Sequence, residues 1–184
     1  MKHEGKKKRS MIRELVTWVI YLVVLCSAAY LITQFVGERT EVKGESMVPA
    51  LSDGDNLIVD KISYRFTDPD RFDIIVFPFK YQEDTFYIKR IIGLPGETVQ
   101  IFDGEIYING KKLKENYSTE LIRNPGLASD AVTLGQDEYF VLGDNRNNST
   151  DSREPSVGTV SKSEIIGKAW IRIWPLDEIS ILRH

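Results

Sequence analysis

From Leu15 to Val36 the chain runs for 22 residues without a charge. No other feature limits its fold as much, because a helix of that length spans roughly 33 Å, about the hydrocarbon thickness of a bilayer. Trp18, Tyr21 and Tyr30 suit the interfacial zones near its ends. Lys6, Lys7, Lys8, Arg9 and Arg13 precede it, whereas Glu38 and Glu41 follow it with Arg39 and Lys43 beside them. The positive-inside rule then predicts a cytoplasmic basic tail over residues 1–14, a transmembrane anchor over 15–36 and an extracytoplasmic domain over 37–184. A cleaved secretory signal has an apolar core of only about 7–15 residues and a closing A-x-A-like site, which this run lacks. A buried core helix is seldom apolar on every face. No second run of comparable length follows, so a single span is expected.

Charge is unevenly placed. The first 14 residues carry six Lys/Arg and two Glu, and the rest of the chain has a net charge of -7. An acidic body argues against nucleic acid as a partner, since that binding needs a basic face. The lone cysteine, Cys26, sits in the apolar run, where it has no intrachain disulfide partner and no polar neighbour to activate a thiol. His3 and His184 stand at opposite ends, which argues against a His-ligated metal. A serine–histidine triad could draw only on His184, the last residue. No metal or cofactor is expected, and any hydrolytic chemistry needs a base other than histidine.

Beyond the anchor the pattern is β-like. Residues 56–60, 73–77, 86–92, 98–102, 105–108, 139–142 and 168–173 are short runs rich in Ile, Val, Phe and Tyr. Asp103-Gly104 and Asn109-Gly110 have the composition of tight turns. Residues 111–136 are more polar, broken by Pro125, Gly126 and Gly135, and read as a small cap-like excursion from the main sheet. The expectation is a mostly β, antiparallel sheet or barrel-like domain behind one N-terminal transmembrane helix. Phe77-Pro78-Phe79 either dips into lipid or ends a core strand at Pro78.

Three segments could carry chemistry. Ser46 lies between the flexible Gly44 and the rigid Pro49, which can present its hydroxyl on a fixed turn, although most loop serines are only turn residues. In a strand, Tyr87, Lys89 and Ile91 share one face, and Ile88, Arg90 and Ile92 the other. Burial would favour the neutral amine of Lys89. Lowering its pKa from about 10.4 to about 8 costs roughly 3 kcal/mol. Alternation alone leaves open which of the two cations is buried and whether Lys89 snorkels to water. The third segment, residues 143–153, is dense in short polar side chains. It reads either as a surface loop with local hydrogen bonds or as the support of a base.

Together these segments resemble the bacterial type I signal peptidases, the Ser–Lys leader peptidases. The resemblance rests on Ser46-Met47-x-Pro49-x-Leu51, on Lys89-Arg90-x-x-Gly93-x-Pro95-Gly96, and on Gly143-Asp144-Asn145 followed by Ser149-x-Asp151-Ser152-Arg153, in that order behind a basic N-terminus and an anchor. It implies a membrane-bound serine endopeptidase that cuts exported preproteins after small residues. Ser46 would be the nucleophile, Lys89 its general base, and Ser149 the hydroxyl that orients the Lys89 amine. Asp144 and Asp151 would pair with Arg90 and Arg153. Phe86 and Ile88 would line the strand along which substrate lies, and Met47 and Leu51 would shape the small-residue pockets. Signal-peptide-bearing preproteins and the lipid bilayer are the implied partners. Two positions depart from the family. Ala50 stands where threonine is usual. Gly44 stands where the two-span enzymes carry a serine of the oxyanion hole, so the Ser46 N–H would have to serve there. Gly44 and the single anchor both look like the Gram-positive form.

Overall fold

The structure, a computed structural model, describes residues 2–35, 37–82, 84–118 and 120–182. The chain divides into two compact units after Gly37. The first is one helix, α1, Lys2–Phe35. It runs through the basic tail as well as the apolar run, because Lys, Arg, Glu and Met are good helix formers and no proline interrupts them. Met11–Tyr30 forms a 20-residue apolar stretch with mean hydropathy 1.8, and none of it is buried by protein. At 1.5 Å per residue that is about 30 Å, so this N-terminal helix fits a single-pass membrane anchor.

The second unit is built of short antiparallel strands. They are β1 (Gly37–Glu41), β2 (Asn56–Asp60), β3 (Ile74–Pro78), β4 (Phe86–Gly93), β5 (Thr98–Phe102) and β6 (Glu105–Ile108). β7 (Lys111–Lys112), β8 (Val132–Thr133), β9 (Glu138–Leu142), β10 (Val160–Ser161), β11 (Gly167–Trp174) and β12 (Ser180–Ile181) follow. The larger sheet has the order β1-β2-β11-β3-β4-β9-β10, with β12 also on β11, and the smaller has the order β7-β6-β5-β8. At the turn between β5 and β6, Asp103 and Gly104 both have positive φ, 51° and 77°. That is the backbone a two-residue hairpin requires, and it sets the register Phe102 opposite Glu105. Asn109 and Gly110, at 50° and 74°, repeat the device between β6 and β7.

Within the excursion expected over 111–136, two short strands edge the second sheet. Its centre, β5 and β6, lies earlier in the chain, and residues 111–136 add the two-residue edge strands β7 and β8. Val99, Ile101, Ile106 and Ile108 alternate inward from β5 and β6 and pack on Ile92, Phe140 and Leu142 of the larger sheet.

The middle of the larger sheet is covered on both faces. Ile74, Val76 and Ile88 pack with Met47, Leu51 and Leu57 on one side. Ile75, Phe77 and Ile91 pack with Tyr139, Val141 and Val160 on the other. Phe77 is thus a core residue of a strand that ends at Pro78, while Phe79 stacks on Tyr87 at a ring separation of 4.7 Å. The double covering also resolves the ambiguity at β4. Lys89 and Arg90 point to opposite faces, yet both are buried, at 4% and 2% exposure.

Candidate active site

Ser46 stands on a turn that its neighbours pin to the core. Val48 N–H donates to Glu45 O at 3.2 Å and Leu51 N–H to Met47 O at 2.9 Å. The side chains of Met47 and Leu51 are sealed in the core below. Gly44 opens the turn at φ +85°, a conformation that favours glycine, and its N–H donates to Asp53 Oδ1 at 2.7 Å.

This turn brings Ser46 Oγ to 2.7 Å from Lys89 Nζ. The amine also donates to Ile88 O at 3.0 Å. Burial in β4 pushes the Lys89 pKa down to about 8, against the opposing pull of the Asp151 and Asp144 carboxylates. A neutral amine keeps one lone pair. With an N–H committed to Ile88 O, that pair can accept the hydroxyl proton of Ser46.

Two buried carboxylates near Lys89 would hold it protonated if they stood alone. Each is matched by a guanidinium. Arg90 meets Asp144 through two hydrogen bonds of 2.8 and 2.6 Å, donates to Phe72 O, and lies 3.7 Å from the Tyr117 ring. Arg153 meets Asp151 at 2.8 and 2.9 Å. Asp151 also accepts from Gly143 N–H at 3.0 Å, which ties the two ends of the 143–153 loop together. A third pair, Arg146 with Glu115, is bidentate, and Arg146 Nε donates to Gly143 O at 2.9 Å. Charge is thus balanced around a Lys89 that is itself buried, a setting that favours its neutral form.

The sequence expectations meet this geometry unevenly. Ser46 and Lys89 come together, as do Arg90 with Asp144 and Arg153 with Asp151. Ser149 Oγ is buried and, among the described residues, has no hydrogen-bond partner, so it makes no bond to Lys89 there. The Ile88 carbonyl takes the amine's second contact instead. Met47, Phe86 and Ile88 line a cavity of about 590 Å³ formed by residues 40–47 and 84–89 with Asn148 and Thr150. Leu51 is not among its lining residues. It is fully buried beneath the turn, because the Leu51 N–H to Met47 O bond folds it into the core. Glu115, Tyr117 and Arg146 carry no role in the sequence reading. Glu115 and Tyr117 belong to no motif, and only their long-range contacts reveal them. Among the described residues no group of His, Cys, Asp and Glu side chains could hold a metal ion.

Gly143 is where the loop and the turn touch. A Cβ there would stand 2.3 Å from Ser149 Oγ and 2.4 Å from Ser46 O. Gly143→Ala therefore has to push the Ser46 backbone away from Lys89. Because a misplacement of about 1 Å can cost on the order of 10²-fold in rate, kcat is expected to fall by about that factor, measured by steady-state peptide cleavage.

The chain matches the family model described as signal peptidase, peptidase S26, over residues 15–174. It is 39% identical to a probable signal peptidase I-2 of a Synechocystis species, covering 99% of this chain and 84% of the relative. It is 44% identical to a signal peptidase I of Leptolyngbya laminosa over 82% of this chain and 75% of the relative. With signal peptidase I P of Bacillus subtilis subsp. natto it shares 34% identity over 95% of each. A crystal structure of a signal peptidase I from Enterococcus faecalis covers 55% of this chain and 97% of its own, with 38% identity and a TM-score of 0.47. On the span of the family match and the identity to relatives along most of its length, this chain belongs to the signal peptidase family, peptidase S26, and is a peptide-bond hydrolase.

Proposed function

We propose that this protein removes N-terminal signal peptides from exported preproteins by acyl transfer through Ser46, with neutral Lys89 as the general base. The observation that carries the proposal is the 2.7 Å approach of Ser46 Oγ to a buried amine whose pKa is lowered to about 8. Lys89 takes the hydroxyl proton as Ser46 Oγ bonds to the scissile carbonyl carbon. The proton then passes to the departing amine as the C–N bond breaks, leaving an ester on Ser46. Lys89 next deprotonates a water, which attacks the ester and frees the Ser46 hydroxyl.

The cavity supports an extended substrate. β9 pairs with β4 only from Arg90 to Gly93, so the Phe86–Lys89 edge that faces away from β3 has no strand partner among the described residues. A peptide can add there by main-chain hydrogen bonds, with alternate side chains entering pockets. Met47 and Ile88, on that lining, leave room for small side chains at the cleavage site and exclude large ones. By the charge asymmetry around the anchor, the N-terminus is cytoplasmic and the catalytic unit extracytoplasmic. Tethering enzyme and preprotein to one membrane raises their effective concentration.

The test is to incubate the full chain in detergent with a preprotein and sequence the new N-terminus. A cut after an A-x-A-like site that requires Ser46 supports the proposal. A cut that survives Ser46→Ala overturns it.

A further inference from the structure

An acyl-transfer site needs donors aimed at the carbonyl oxygen as it gains negative charge. Gly44 has no side chain to donate, and its N–H is occupied by Asp53. The Ser46 N–H is the donor left next to the nucleophile, and it makes no hydrogen bond among the described residues. Its aim depends on the orientation of the Glu45–Ser46 peptide plane.

Asn145 holds that plane. Its side-chain Nδ2 donates to Glu45 O at 3.1 Å, and its backbone N–H donates to Ser46 O at 3.1 Å. Glu45 O also accepts from Val48 N–H, so both of its lone pairs are used. The Glu45–Ser46 peptide is trans, so its N–H points opposite to its carbonyl. Fixing Glu45 O on Asn145 therefore fixes the Ser46 N–H on the far side of the plane. Both Glu45 and Ser46 line the cavity. Asn145 is itself placed by the loop's ion pairs, with Asp144 on Arg90 before it and Arg146 on Glu115 after it.

We infer that Asn145 is a positioning residue for the oxyanion hole, which through the Glu45 carbonyl turns the Ser46 N–H toward the developing oxyanion. The inference rests on the proposed acyl transfer at Ser46. It predicts a split between kinetic constants. Removing an oxyanion donor outright costs about 10²–10³-fold in kcat. Loosening one that Val48 still partly restrains costs less, about 10-fold. Asn145 neither touches Lys89 nor lines the cavity, so the pH midpoint of the rate and KM should stay in place.

The experiment compares wild type, Asn145→Ala and Ser46→Ala as full-length chains in detergent, with thermal melts to confirm folding. Asn145→Leu, of similar volume and uncharged, replaces the alanine variant if that fails to fold. The readouts are kcat, KM, the pH–rate midpoint and the affinity of a peptide aldehyde, whose adduct with Ser46 places an oxygen in the hole. The expected result is a fall of about 10-fold in kcat and a matching loss of aldehyde affinity, with KM within about twofold and the midpoint unmoved. Unchanged kcat, a rise in KM alone, or a kcat loss with unchanged aldehyde affinity overturns the role of Asn145. Cleavage that survives Ser46→Ala overturns the underlying mechanism instead.

Discussion

Lys89→Met is expected to lower the turnover of a preprotein on the order of 10⁴-fold or more while making the folded protein more stable. The loss arises because nothing else within reach of Ser46 Oγ can take its proton: Lys89 Nζ is its one hydrogen-bond partner among the described residues. Residues of a nucleophile–base pair act as a unit, so Ser46→Ala should cost about as much, and the double variant little more. The gain in stability has a separate cause. Burial in the folded chain lowers the Lys89 pKa to about 8, against 10.5 for a free side chain. Between those pH values the unfolded chain binds more protons, so stability rises with pH across that window. Below it the fold carries the full cost of a buried amine, about 3 kcal/mol for a shift of this size. Methionine fills a similar space without charge. Denaturant melts at pH 7 should therefore show the variant more stable than wild type, and the difference should shrink as pH approaches 10.5.

Asp144→Ala is expected to destabilise the domain by about 3–5 kcal/mol, the usual result of leaving one partner of a buried pair alone. Arg90 is 2% exposed and, among the described residues, would keep the Phe72 carbonyl and the Tyr117 ring alone. Replacing Arg90 as well, with methionine, should recover most of the loss, because an apolar pair of similar volume needs no solvation. A second signature separates this from a simple packing defect. Asp144 raises the Lys89 pKa, so its removal moves the midpoint of the rate to lower pH. Urea melts of the single and double variants and a pH–rate profile of the single one check both parts.

What could be read from the sequence follows from how local each signal is. The anchor was legible because an uncharged run of that length has few uses. The hairpins at Asp103-Gly104 and Asn109-Gly110 were legible because positive φ at two successive residues selects those side chains. β7, β8, β10 and β12 have two residues each, too short to show a period of two, and they form only as edges against longer strands. That is why residues 111–136 read as a cap-like excursion from the main sheet, while two of their short segments edge the sheet begun at Thr98. The burial of both Lys89 and Arg90 could not be told from alternation, since it depends on cores packed against both faces of β4. Glu115 reaches Arg146 across 31 positions and Asn145 reaches Glu45 across 100. Such contacts leave no spacing to detect. The Leu51 and Ser149 roles came from the resemblance alone: Leu51 is fully buried under the turn, and Ser149 Oγ, buried beside Gly143, has no hydrogen-bond partner among the described residues.

The central claim is that a neutral Lys89 activates Ser46. It is tested most directly by titrating the Lys89 amine of the full chain in micelles by lysine-selective NMR, assigned with Lys89→Met, beside the pH dependence of kcat/KM. The amine should titrate at about 8, and kcat/KM should rise with pH through the same midpoint. An amine that titrates near the 10.5 of a free lysine, or a rate indifferent to pH across that midpoint, would contradict it.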